Sequence, residues 1–100
     1  MAIKKTNIYK VQFQEVQLKD SSTPENAFAF EFENHDNIFE IISKIQQSNI
    51  LGGKELEMQL ILGIKLFGDV MLRHKGNPLF ESLQPAFIEF MKGLKAKTQQ

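Results

Sequence analysis

The sequence predicts an α+β fold in which an N-terminal two-stranded antiparallel hairpin is packed by three or four helices. Apolar and polar residues alternate along two segments before residue 34, which is the period of a half-buried strand. From residue 38 onward apolar residues recur every three or four positions, as they do on one face of a helix. The longest such segment, residues 54–75, is predicted to be the central helix.

Size and composition predict one domain over residues 1–100, with an ordered core over about 7–95. Apolar residues make up 42% of the 100 residues and charged residues 24%, which is the ordinary globular range. Twelve basic and twelve acidic side chains cancel, which argues against general binding to nucleic acid or to an anionic membrane.

Three further features bear on the compartment. The chain has no cysteine, which excludes disulfides and thiolate metal sites and fits a reducing compartment. No apolar stretch is as long as a membrane span. No apolar run follows Lys4 and Lys5, so the N-terminus does not have the pattern of a secretory signal. We therefore expect a cytoplasmic protein.

The first predicted strand, residues 8–18, places three apolar residues on one face: Tyr9, Val11 and Phe13. The alternation then changes parity, which predicts a bulge near Gln14 and Glu15. A polar loop over residues 19–26 leads to the second strand, residues 27–33, whose phenylalanines are predicted to face the core: Phe28, Phe30 and Phe32. This strand lacks the basic residues that a base-stacking surface would need.

Asn37 and Glu40 have the spacing of a capping box and predict the start of a helix that runs to about Ser48. Its predicted apolar stripe consists of Ile38, Ile41, Ile42 and Ile45. The segment NILGG, residues 49–53, is predicted to end this helix because glycine readily adopts positive φ.

The central helix has two apolar surfaces. The main one is predicted to face the core and contains Leu56, Leu60, Ile64, Phe67 and Met71. We call the second one the ridge, and it consists of Met58, Leu62 and Leu66. Gly63 and Gly68 are predicted to lie toward the buried side. Either the C-terminal helix or a second subunit must cover the ridge, and both alternatives stay open.

Pro78 occupies a natural first position for a further helix, and the apolar residues that follow keep one helical phase as far as Leu94. Pro85 interrupts this segment because proline has no N–H to donate within a helix. The sequence predicts either one helix kinked at Pro85 or two short coaxial helices.

The runs EFENHDNIFEII and LGIKLFGDVMLRHKGNPLFESLQPAF resemble a family of short bacterial proteins that is classed only as a domain of unknown function. The resemblance extends from about the first strand to Leu94. It implies a small, stand-alone, cytosolic bacterial protein. It transfers no catalytic residue, cofactor or partner.

Five polar residues are candidates for ligand binding: Asn34, His35, Asp36, Arg73 and His74. An adjacent His-Asp pair ligates divalent ions in some phosphohydrolases, but such a site needs further ligands, and the chain has just one other histidine. Helix capping is the favoured role for this junction, and we predict no catalytic residue, no metal site and no cofactor.

Two function classes remain. The first is a non-enzymatic interaction or accessory protein that forms a homodimer through a strand edge or through the ridge, with a further protein partner of unknown identity. The alternative is a small-ligand, anion or metal-binding domain near Asn34, His35 and Asp36. A pocket that joins His35 to Arg73 or His74 would favour the alternative, whereas an apolar patch on the long helix would favour the interaction protein.

Overall fold

The computed structural model describes residues 5–98; residues 1–4, which include Lys4 of the N-terminal segment, and residues 99–100 lie outside it. The predicted α+β fold is confirmed, because a two-stranded antiparallel hairpin at the N-terminus is followed by four helices. Contacts group the chain into a hairpin unit, Met1–Asp36, and a helical unit, Asn37–Gln100. The assignment of residues 1–100 to a single domain stays a prediction.

The hairpin consists of β1, Asn7–Gln14, and β2, Ala27–Asn34. Three directly opposed pairs bring the apolar residues of both strands to one face: Tyr9 with Phe32, Val11 with Phe30, and Phe13 with Phe28. Directly opposed residues point to the same side of a sheet. The two alternating patterns in the sequence therefore belong to one shared apolar face, as predicted for each strand.

The predicted bulge near Gln14 and Glu15 is wrong, because β1 ends at Gln14. The Glu15 side chain accepts hydrogen bonds from the backbone N–H groups of Asn26 at 2.9 Å and Glu25 at 3.1 Å. The Glu15 backbone N–H also donates to the Asn26 carbonyl at 3.0 Å, so backbone and side chain of Glu15 together close the start of the loop. The Asn26 and Glu25 amides together lower the pKa of the Glu15 carboxyl below its ordinary value.

The predicted burial of the phenylalanines on β2 is wrong for two of the three. Phe28 is 56% exposed and Phe30 is 44% exposed, and Phe32 is half-buried. Within the described part of the hairpin unit, residues 5–36, no residue is buried. Alternation identified the face correctly, but it does not show what covers that face.

Helix α1, Ile38–Ser48, begins at the predicted cap: the Asn37 side chain accepts a hydrogen bond from the backbone N–H of Glu40 at 3.2 Å. Its end differs from the prediction, since Asn49 is the first left-handed residue, with φ 52°, ahead of Gly52. The buried side of α1 consists of Ile38, Ile42 and Ile45, whereas Ile41 is half-buried. This side packs in the helical unit, where α1 contacts α2 and α4.

Helix α2, Lys54–Arg73, is two residues shorter than predicted, and His74 is its C-cap. Its buried residues are Glu57, Ile61, Gly68 and Met71. The predicted core face is therefore wrong in position: of its members only Met71 is buried, while Leu56 is 56% exposed and Phe67 is 40% exposed. Apolar residues surround most of this helix, so periodicity alone does not select the side that meets α1.

The C-terminal segment forms two helices, α3, Pro78–Glu81, and α4, Gln84–Thr98, so the predicted alternative of one helix kinked at Pro85 is wrong. Pro85 lies in the first turn of α4, where a missing N–H leaves no helical hydrogen bond unmade. The ring of Phe67 on α2 contacts Phe80 and Phe87 edge-on, each with centroids 5.9 Å apart. These contacts join α3 and α4 to α2.

The two helical glycines differ in their surroundings. Gly68 is buried, and a Cβ at this position would lie 3.4 Å from the Phe87 ring, so its predicted place on the buried side is confirmed. Gly63 is exposed, and a Cβ there would meet nothing within 4 Å, so its prediction is wrong. Among residues 5–98, none of the helices has both the length and the apolar character that crossing a membrane requires.

Candidate functional site

An open apolar groove of about 640 Å³ runs along α2 in the helical unit. Its lining residues come from α2, from α4 and from the loop before α2: Leu51, Leu56, Gln59, Leu60, Gly63, Ile64, Phe67 and Phe87. Gly63 contributes no side chain to the floor, which leaves the groove open at its centre. Much of the lining belongs to the face that the sequence predicted to be core.

The groove offers apolar contact rather than acid-base chemistry. Gln59 is its one polar side chain, and an amide neither titrates in the physiological range nor supplies a charge. Because the lining is aliphatic and aromatic, the groove suits apolar side chains of a macromolecular partner. The sequence pattern placed four of the lining residues on one helix face that was predicted to be core: Leu56, Leu60, Ile64 and Phe67.

The ridge lies elsewhere on α2 and is partly open to solvent. Met58 is 41% exposed and Leu62 is 38% exposed, while Leu66 is half-buried. Helix α4 contacts α2 through Phe87, beside Phe67 and Gly68. The role of the ridge as an interface stays a prediction.

The polar junction of the hairpin unit is occupied by local hydrogen bonds. The Asn34 side chain accepts from the backbone N–H of Asp36 at 2.9 Å. The Asp36 carbonyl accepts from the Tyr9 hydroxyl at 2.7 Å and from the Asn7 amide at 3.1 Å. His35 is exposed. These contacts shape the turn after β2, whereas the side chain that caps α1 is that of Asn37.

Arg73 and His74 lie at the C-terminal end of α2, in the helical unit. The Arg73 Nε atom forms an ion pair with Asp69 Oδ2 at 3.1 Å, one helical turn earlier. The backbone N–H of His74 donates to the Met71 carbonyl as the helix cap. Neither residue lines the groove on α2. In the part of the chain that the structure describes, no three His, Cys, Asp or Glu residues come together as a metal site would require.

Glu57 is the residue that sequence reasoning missed. Its side chain is fully buried, and one carboxylate oxygen accepts the backbone N–H of Leu51 at 2.9 Å. Its other oxygen, Oε1, is buried without a hydrogen-bond partner in the structure. Glu57 precedes Ile61 by four residues, so the two side chains lie on the same face of the helix. This spacing was the one feature of the sequence that could have indicated the burial of Glu57. The carboxylate holds the loop between α1 and α2, next to the start of the groove at Leu51.

Comparison with known proteins places the chain in a family. Residues 7–96 match the family model described as "Domain of Unknown Function with solved-structure structure (DUF3861)". The fold is similar to the crystal structure, at 2.20 Å resolution, of a protein of unknown function from Pectobacterium atrosepticum SCRI1043. That match has a TM-score of 0.79 and 30% sequence identity, and it covers 91% of this chain and 98% of the other.

No curated protein matches the sequence. The family match spans both strands and all four helices up to Lys95 and Ala96, in agreement with the resemblance seen in the two sequence runs. The chain therefore belongs to the DUF3861 family, a domain of unknown function.

Proposed function

We propose that this protein is a non-enzymatic interaction module that works as a homodimer. The observation that carries the proposal is the apolar surface of α2, where an open groove and the ridge together leave residues such as Leu56 and Leu62 in contact with water. Contiguous apolar surface of this kind is typical of protein interfaces. A formal net charge of zero adds no long-range repulsion between two copies.

The polar candidates support this function over a small-ligand site. Asn34 and Asp36 use polar atoms to shape the turn after β2, and Arg73 is paired with Asp69. The groove, by contrast, carries one polar side chain, Gln59, and no charged one. An interface needs apolar contact area, whereas a site for an anion or metal needs converging charges or ligands.

A cytoplasmic location is part of the same proposal. The chain has no cysteine and therefore no disulfide, as is usual for proteins of a reducing compartment. Fractionation of cells that make a tagged copy would test the location, and recovery in a secreted or membrane fraction would contradict it.

The molecular mass in solution, measured by sedimentation equilibrium over a wide range of concentration, tests the dimer. We expect the mass to rise from 11.5 kDa toward twice that value. A mass of 11.5 kDa at every concentration would refute the proposal. Leu79→Glu serves as the control variant, since Leu79 is 75% exposed and lies outside both the groove and the ridge.

A further inference from the structure

The apolar face of the hairpin becomes more exposed toward the loop that joins its strands. Phe13 and Phe28, the pair nearest the loop on this face, are 65% and 56% exposed, and Phe30 is 44% exposed. Their rings stack, with centroids 5.2 Å apart for Phe13 and Phe28 and 6.1 Å apart for Phe28 and Phe30. We call these three residues the aromatic row. Rings already ordered against one another lose little conformational freedom when they bind, so they make effective anchors.

The groove has the chemistry and the length to receive this row. It extends along α2 from Leu56 to Phe67, which is about 16 Å of helix at 1.5 Å per residue. Phe28 and Phe30 lie two residues apart on a strand, a separation of about 7 Å. The open space over Gly63 lies between the two ends of the groove. Aromatic anchors in an aliphatic groove form the typical centre of a protein interface.

Formal charge favours contact between unlike units of two copies. Four lysines and six acidic residues give the hairpin unit a charge of −2, and eight basic and six acidic residues give the helical unit +2. Two hairpins placed edge to edge, or two α2 ridges placed face to face, would bring units of like charge together. A hairpin against the helices of a second copy brings opposite charges together, which steers association.

We infer that the aromatic row of one copy binds in the α2 groove of a second copy, and that the second copy returns the same contact. This inference rests on the proposed homodimer and names its interface. A reciprocal contact of this kind is closed by a two-fold axis, so it buries the aromatic row and the groove of both chains and leaves no unpaired row or groove to recruit a third chain. The ridge lies outside this interface.

Complementation between two variants tests the inference. Phe28→Glu disables the row, and Leu56→Glu disables the groove; both side chains are 56% exposed, so the folds should survive, as circular dichroism would show. A symmetric dimer contains each changed residue twice, once in each chain, so one substitution disrupts both contacts. Each variant alone should therefore have a dimer dissociation constant at least about a hundredfold higher than that of the unchanged chain. Mixing the two variants joins one intact row to one intact groove, so we expect a heterodimer that neither variant forms alone.

The double variant, with both changes in one chain, is the matched control. It should bind neither single variant nor the unchanged chain, because no intact row then meets an intact groove. If Leu56→Glu does not fold, Gly63→Leu fills the groove from an exposed position where a Cβ meets nothing within 4 Å. Leu62→Glu on the ridge should leave the mass unchanged.

The possible failures can be told apart. If the unchanged chain is a dimer and Leu62→Glu dissociates it while Phe28→Glu does not, the inference is overturned and the proposed function stands. If both single variants remain dimeric, or their mixture yields no heterodimer, the inference is likewise overturned. If the unchanged chain is a monomer at all concentrations, the inference and the proposed function fail together.

The absence of cysteine permits an independent measurement. A Phe28→Cys chain and a Gly63→Cys chain, mixed under mild oxidation, should form a disulfide-linked heterodimer in preference to either homodimer. If disulfides form mainly between two Gly63→Cys chains, the α2 helices of the two copies contact each other, and the inference is overturned.

Discussion

Among residues 5–98, the helical unit buries five large apolar side chains, whereas the hairpin unit buries none. The two units nonetheless have equally regular apolar patterns in the sequence. In the helical unit one stripe of α1 meets one stripe of α2, so both are covered. In the hairpin unit Phe13, Phe28 and Phe30 stack on one another and remain exposed. An amphipathic pattern therefore specifies a face, and burial depends on a second surface that the pattern does not encode.

The largest effect is expected in the helical core. Ile61→Ala removes a side chain that is 2% exposed and should lower the free energy of unfolding by about 2–5 kcal/mol, through lost burial and the cavity that remains. Urea unfolding followed by circular dichroism measures it. The neighbouring change Leu62→Ala, at a side chain 38% exposed, should cost less than about 1 kcal/mol. If the two variants lose equal amounts of unfolding free energy, Ile61 and Leu62 are buried to the same extent.

The next effect concerns the loop that the helical unit holds with a buried acid. Glu57→Ala leaves the Leu51 N–H without its acceptor and should cost about 1–3 kcal/mol. Hydrogen exchange of the Leu51 amide should become faster in the same variant. Glu55→Ala removes the same charge two residues earlier from an exposed position, and it should cost no more than about 0.5 kcal/mol. If the two variants are equally stable, the carboxylate does not hold this loop.

A gain in stability is expected at the open groove. Gly63→Ala should raise the free energy of unfolding by about 0.5–1 kcal/mol, because alanine favours helix and its Cβ meets nothing within 4 Å. Thermal unfolding at one protein concentration measures the change, since association also shifts the midpoint. Gly52→Ala is the contrasting control: its φ of +75° is strained for alanine, so this variant should lose stability. If stability is lost in Gly63→Ala at a protein concentration where the chain is monomeric, another segment of the same chain fills the groove.

The smallest effect belongs to the hairpin. Because hydrogen bonds from Asn26 and Glu25 lower the pKa of Glu15 in the folded chain, its ionised form stabilises the strand ends above the ordinary glutamate pKa. This contribution should be lost as the pH falls below about 4 and through the lowered pKa. NMR would detect a shift of the Asn26 amide resonance over that range. Glu15→Gln should abolish the titration, whereas Glu31→Gln, on the opposite face of the hairpin, should leave it unchanged. A titration that persists in Glu15→Gln would assign it to another group.

Local chemistry explains the predictions that the structure confirms. The Asn37 cap needs only the helix that follows it, and the break near Pro85 needs only a proline without an N–H. The ladder pairs follow from two strands joined by one loop. The contacts of Glu15 at the end of β1 could not be predicted, because they join its side chain to the amides of Asn26 and Glu25, eleven and ten positions away.

The candidate site was predictable only in part. Four groove residues of α2 were predicted to share one helix face. Their exposure depends on which side of α2 meets α1, and the sequence does not select that side because α2 is apolar on most sides. The burial of Glu57 had one weak signal in the sequence, its phase with Ile61, because an acid in the first turns of a helix is usually explained by the helix dipole.

The sequence by itself determined the hairpin, the order of the helices and the apolar residues that share each face, because alternation, capping and proline act over a few residues. Tertiary structure decided which face of α2 is buried, that Glu57 enters the core and that the groove stays open. Those outcomes depend on where α1, α3 and α4 contact α2. Such contacts join residues that are far apart in the chain, and a periodic pattern within one helix does not specify them.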